Sequence, residues 1–225
     1  MAAITSELIK ELRERTAAGM LDCKKALTEN DGDMDASIDW LRKKGLSAAA
    51  KKSGRVATEG TITIELASDA KKATISEVNC ETDFVGQNEN FIEFCASTTS
   101  HIHSNGIKSV DDLLASNING TTFSDHLSIT IGKIGENIVV RRFAEVAVGA
   151  NGAVSAYKHA NGKIGVLVGA ECDSAKTAEA ITSTLKDIAM HAAAMNPNYM
   201  DETQIPAEDL ERETEVAKAQ LEKEG

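Results

Sequence analysis

The sequence predicts an α+β protein: a three-helix N-terminal domain, then a core of two related α+β subdomains with antiparallel sheets. Two observations carry this reading. Apolar residues keep a helical spacing over the first 55 residues, then switch at Ile62, Ile64 and Leu66 to alternation with polar residues. A pattern of hairpin followed by helices begins near residue 60 and begins again near residue 151.

The elements follow in order. Ile4, Leu8, Ile9 and Leu12 share one helical face, with Thr5 or Ser6 as N-cap. Gly19 interrupts, and Asp22 is placed to cap a second helix through Ala26 and Leu27. AsnAspGlyAsp at 30–33 is a turn; Met34, Ile38 and Leu41 form a third stripe, which LysLysGly at 43–45 closes. Residues 51–55 form a linker. After the strand at 62–66 come a turn at 68–72 and a partner strand at 73–79. A helix around Phe91–Cys95, a polar loop near 103–108, a helix at 122–134 and a strand at 137–148 follow. AsnGly at 151–152 opens the second copy, and AsnGly at 161–162 is a strong hairpin signal ahead of KIGVLVGAE. Helices at 175–194 and after Pro206 complete it. The second copy lacks a closing strand, as a truncated form would.

Composition narrows the function. A hydrophobic content of 42% with 26% charged residues is globular, and 225 residues can bury a sizeable core. The longest apolar run, Ile164–Ala170, is far short of the ~20 residues of a membrane span. The N-terminus carries Glu7, Glu11 and Glu14 and has no signal-peptide pattern, so a cytoplasmic location and no membrane partner are expected. Net charge is −11, divided as +2 over residues 1–55, −7 over 56–146 and −6 over 147–225. An acidic body argues against direct nucleic-acid binding and for a protein partner.

Motifs for chemistry are missing. Neither GxGxxG nor GxxxxGK[ST] occurs, so no nucleotide cofactor is expected. His101 and His103 lie two apart without a supporting cluster, which speaks against a metal. Cys23, Cys80, Cys95 and Cys172 sit among apolar neighbours, as buried thiols do, so no catalytic residue and no enzyme are expected. Two segments stand out. LRERTAAGMLDCKKAL (12–27) places Met20 and Leu21 at a turn between charged helices, either as ordinary packing or as a contact surface. EVNCETDFVGQNENF (77–91) either caps a helix with Asp83 and buries Phe84, or displays both at a loop tip.

Those two segments resemble the signatures of the bacterial elongation factor Ts family. KIGEN at 133–137, ArgArg at 141–142 and KIGVLVGAE at 163–171 also look like family segments, and the similarity spans the chain. The resemblance implies a ubiquitin-associated-like N-terminal domain (1–55), a core N-subdomain with the ThrAspPheVal motif (56–148) and an incomplete core C-subdomain (149–225). It implies a guanine nucleotide exchange factor for the GTPase EF-Tu. Asp83 and Phe84, flanked by Thr82 and Val85, would wedge into the GTPase domain, disturb its magnesium and phosphate site, and release GDP. Arg13, Met20, Leu21, Lys24 and His159 match further EF-Tu-facing positions. Gly86–Gln87 depart from the family pattern of a small residue and a cation. Longer family members continue into a coiled-coil protrusion and a final strand, so a shortened chain that docks on EF-Tu with little exchange is the alternative. The number of copies in the assembly stays open.

Overall fold

A computed structural model describes residues 4–16 and 18–224; Ala17 of the first signature and Gly225 lie outside it. Helices α1 (Ser6–Thr16), α2 (Met20–Glu29) and α3 (Met34–Lys52) pack around Leu12, Cys23, Ala26 and Leu27. The Thr5 hydroxyl accepts from Leu8 N (3.2 Å), and Asp33 caps α3 by accepting from Ala36 N. Asp31 and Gly32 both have positive φ, the left-handed backbone that makes the 30–33 turn tight.

Two expectations for this region are corrected. Asp22 does not cap α2: Gly19 holds the N-cap position without a side-chain bond, and Asp22 instead pairs with Lys44. Nor does LysLysGly end α3, which runs on to Lys52. The reason is tertiary. Gly45 is buried where α3 crosses the later helix α7 (Phe123–Ile134), and a Cβ on Gly132 would stand 3.1 Å from Gly45 Cα. Gly45 serves close helix approach, and a helix Gly costs only about 1 kcal/mol of propensity that such packing can offset.

The core centres on an antiparallel sheet in the order β1 (Glu59–Leu66), β2 (Lys72–Cys80), β5 (Val139–Ala147). Between β2 and β5 lie α4 (Asp83–Gly86), α5 (Glu89–Asn105), α6 (Val110–Ala115), a two-residue ladder of β3 (Asn117–Ile118) and β4 (Thr121–Thr122), and α7 (Phe123–Ile134). The sequence reading missed α6 and the small ladder, and it ended α5 a few residues early. One sheet face meets α5 through polar groups: Ser76 and Thr99 hydroxyls stand 2.6 Å apart, and Thr74 bonds His103 at 2.9 Å. Phe91, Phe94, Phe123, Ile102, Leu113 and Ile138 fill the interior beyond.

The other sheet face, with Ile62, Ile64 and Ile75, is covered by the hairpin of β6 (Ala153–Lys158) and β7 (Gly165–Ala170). A Cβ on Gly165 would come within 2.7 Å of Ile62 and Ile75, so only glycine allows this approach. Outside the hairpin, Ala153, Val168 and Ala170 pack on α8 (Ala175–Ala180) and α9 (Thr182–Met195) through Ala178, Ile181 and Leu185. The helix read at 175–194 is therefore two helices that meet at Ile181. A 3-10 turn at Glu202–Gln204 and the exposed helix α10 (Ala207–Glu224) follow. Among the described residues no helix is long and apolar enough to cross a membrane.

Candidate partner-binding site

The second signature leaves the sheet at Cys80 and turns at Glu81–Thr82 into the single turn of α4. Thr82 is the N-cap, extended at φ −124°, and its hydroxyl oxygen accepts from Val85 N at 3.4 Å. This cap decides the direction of every side chain after it. Val85 turns inward and packs against the main core, while Asp83 and Phe84 point outward. Phe84 is 84% exposed, so Phe84 is not buried and Asp83 is not the cap. A solvated aromatic of this kind departs from the usual burial of phenylalanine and leaves its ring available for contact.

One turn of helix is not stable on its own. The segment is held from β5's side of the sheet. Glu136 Oε2 accepts from both Glu81 N and Thr82 N at 3.0 Å, and Glu136 Oε1 accepts from the Thr82 hydroxyl at 2.6 Å. In return Asn137 N donates to Glu81 Oε1 at 2.6 Å, and the Asn137 amide donates to Arg55 O at 2.8 Å. Cys80 lies beneath, its thiol pushed up to about 11 by burial and then by Glu136, so it is neutral. Burial likewise raises the Cys95 and Cys23 thiols. These are packing groups, not nucleophiles.

The β6–β7 turn comes to the same end of the molecule. Gly162 O accepts from Ile62 N (2.7 Å) and from the Thr61 hydroxyl (3.2 Å), while Lys163 Nζ reaches Glu59 Oε2 at 2.5 Å. The hydrogen bond to Glu59 and its charge hold the Lys163 ammonium above the usual lysine range. His159 is exposed at this turn; its Nδ1 accepts from Asn161 N at 3.3 Å, and the ring packs edge-on to Tyr157.

The first signature forms the α1–α2 turn. Leu21 is 83% and Met20 59% exposed, with Arg13 and Lys24 solvated beside them. A cleft of about 510 Å³ opens between the α1–α2 turn and α7, floored by α3; Gly19 and Lys133 both line it, and Lys133 Nζ extends to Asn90 Oδ1 (2.8 Å) in the first turn of α5. His101 and His103 are occupied by Ser116 and Thr74, and no group of three metal-ligand side chains converges among the described residues.

Sequence reasoning missed Glu136, Asn137, Lys163 and Glu59. The available signal was the position of Glu136, an acid directly after the Gly135 C-cap of α7. A carboxylate there opposes the helix dipole and calls for a partner.

A family model described as Elongation factor TS matches residues 81–225. The chain is 54% identical over 223 residues to an elongation factor Ts from a Nitratiruptor species, covering 99% of this chain and 73% of the relative. It is 52% identical over 225 residues to one from Nautilia profundicola, covering 100% and 73%, and 48% identical over 225 residues to one from Clostridium novyi, covering 99% and 72%.

Proposed function

The chain belongs to the elongation factor Ts family, the nucleotide exchange factors of EF-Tu, and from that premise we propose that Asp83 and Phe84 are its wedge against the GTPase. The exposure of Phe84 on a clamped helical turn carries the reading. The family acts in the cytoplasm and is not enzymatic. The chain itself makes and breaks no bond. Its work is to bind EF-Tu in a conformation that holds GDP poorly.

The physics is negative coupling between two ligands of one GTPase: whatever factor the chain imposes on GDP affinity, GDP imposes on affinity for the chain. Phe84 enters between elements of the GTPase domain, and Asp83 offers a charged acceptor beside it. The displaced elements disturb the magnesium and phosphate site, and GDP leaves. Thr82 and Val85 fix the turn from below, one as cap and one as core anchor. Arg13, Met20, Leu21 and Lys24 form a second contact from the helical bundle (1–55), and His159 a third from the second core subdomain (149–225), beside the subdomain that carries the wedge (56–148).

Release of a fluorescent GDP analogue from EF-Tu tests this. The parent chain accelerates release, and Phe84→Ala removes ~1.5–3 kcal/mol of buried apolar contact, roughly 10- to 150-fold. Undiminished release by the variant refutes the wedge. Binding without acceleration by the parent makes the chain a docking protein instead.

A further inference from the structure

We propose that Glu136 is the positioning residue of the exchange surface: its carboxylate clasps the Glu81–Thr82 backbone and so sets where Asp83 and Phe84 stand. This rests on the assignment of Phe84 as the wedge. Three donors converge on one carboxylate, two backbone N–H groups at 3.0 Å and a hydroxyl at 2.6 Å. A carboxylate carries about four lone-pair sites, so three acceptances nearly fill it. Bonds to a charged acceptor are stronger than neutral ones.

The clasp is reciprocal. Glu81 Oε1 accepts from Asn137 N, and Arg55 stands 3.6 Å from the same oxygen. The start of β5's segment and the end of β2's segment therefore hold each other across 54 to 56 positions of sequence. Among the described residues, nothing else of comparable strength fixes the N-terminus of α4. Its other anchors are Val85 against the core, the weak bond from the Cys80 thiol to Thr82 O at 3.2 Å, and Gly86 against the Gly60 backbone, about 3.8 Å from a Cβ placed there. Those hold the inner side of the turn, and the Glu136 carboxylate holds its N-terminal backbone N–H groups.

The location of Glu136 argues in the same direction. It follows Gly135, the left-handed C-cap of α7, where the negative end of the helix repels an acid. A residue in an electrostatically poor place is explained by the contacts it makes, here entirely with the second signature. The Thr82 hydroxyl is used twice, donating to Glu136 and accepting from Val85 N, so the clasp and the cap are one hydrogen-bonded chain. Holding the wedge in its binding orientation before contact lowers the ordering loss on association.

The test combines variants in the GDP-release assay on EF-Tu. Glu136→Ala raises the chain concentration for half-maximal release at least tenfold. Glu136→Gln, which still accepts from the backbone and can donate to the Thr82 hydroxyl, restores most of that loss. In a Phe84→Ala background the loss from Glu136→Ala shrinks several-fold, because only Asp83 is left for it to position. Amide hydrogen exchange in Glu136→Ala accelerates at Glu81 and Thr82 and is unchanged across α5. An equal loss with and without Phe84, or no loss in the parent background, overturns the proposal. If Phe84→Ala alone leaves release intact, the wedge reading fails, and the amides judge the clasp: selective acceleration at Glu81 and Thr82 upholds it, and unchanged protection there overturns it.

Discussion

Gly60→Ala is the sharpest structural test. Gly60 sits at the start of β1, directly under α4, with φ +138°, a backbone that L-residues rarely adopt. A Cβ there would lie 2.1 Å from Val78 O and 2.7 Å from Asn79 Cα, both backbone atoms that cannot rotate away. Relief requires the end of β1 to move off β2. That motion sacrifices the Gly60–Asn79 pairing and the bond from the Asn79 amide to Glu59 O at 3.1 Å. Backbone strain contributes about 1–3 kcal/mol and each lost hydrogen bond about 0.5–1.5 kcal/mol. A total of about 2–4 kcal/mol follows for partial relief, which for a chain of this size lowers Tm by roughly 4–16 °C. Thermal unfolding followed by circular dichroism measures it, with Gly54→Ala as control, since a Cβ at Gly54 meets nothing within 4 Å. A loss below about 2 °C for Gly60→Ala, or equal losses for both variants, refutes the argument.

Two further outcomes follow from exposure and burial. Leu21→Ala leaves Tm within about 1–2 °C, because an 83% exposed side chain stabilises little, yet weakens EF-Tu binding in a titration by roughly tenfold; an unchanged affinity removes Leu21 from the contact. Among the thiols, partly exposed Cys172 reacts first with a thiol reagent at about pH 8, and buried Cys80 and Cys95 lag by orders of magnitude; equal rates contradict the burial. Cys80 also adds a pH dependence with a definite sign. Its folded value, about 11, lies above the ordinary 9.0, so its contribution is complete below pH 9 and is lost between pH 9 and 11 as the unfolded thiol ionises; denaturant midpoints across that range, compared with Cys80→Ala, read it directly.

The strands and hairpins were legible because their signals are local: alternation at 62–66 and the AsnGly turn at 161–162 both name their element. The end of α3 was not, since LysLysGly has the local form of a C-terminus and only α7, far along the chain, turns Gly45 into a crossing point. The direction of Phe84 was left open by the residues themselves, and only the family resemblance pointed outward: hydrophobicity argues for the core, and the Thr82 cap with Val85 inward sends it out. Glu136 escaped notice because two of its three donors are backbone amides, which leave no trace in residue type.

The uninterrupted course of α3 has a mechanical meaning. Its 19 helical residues form a rod of about 28 Å that packs in the bundle bearing Met20 and Leu21 and, past its midpoint at Gly45, crosses α7. A flexible tether would dilute the second contact over the volume it explores, but a strut presents it at one distance and one angle. On the contacts proposed above, EF-Tu held at Phe84 would meet Leu21 at high effective concentration, so that avidity, not the strength of either contact alone, would govern residence on the GTPase.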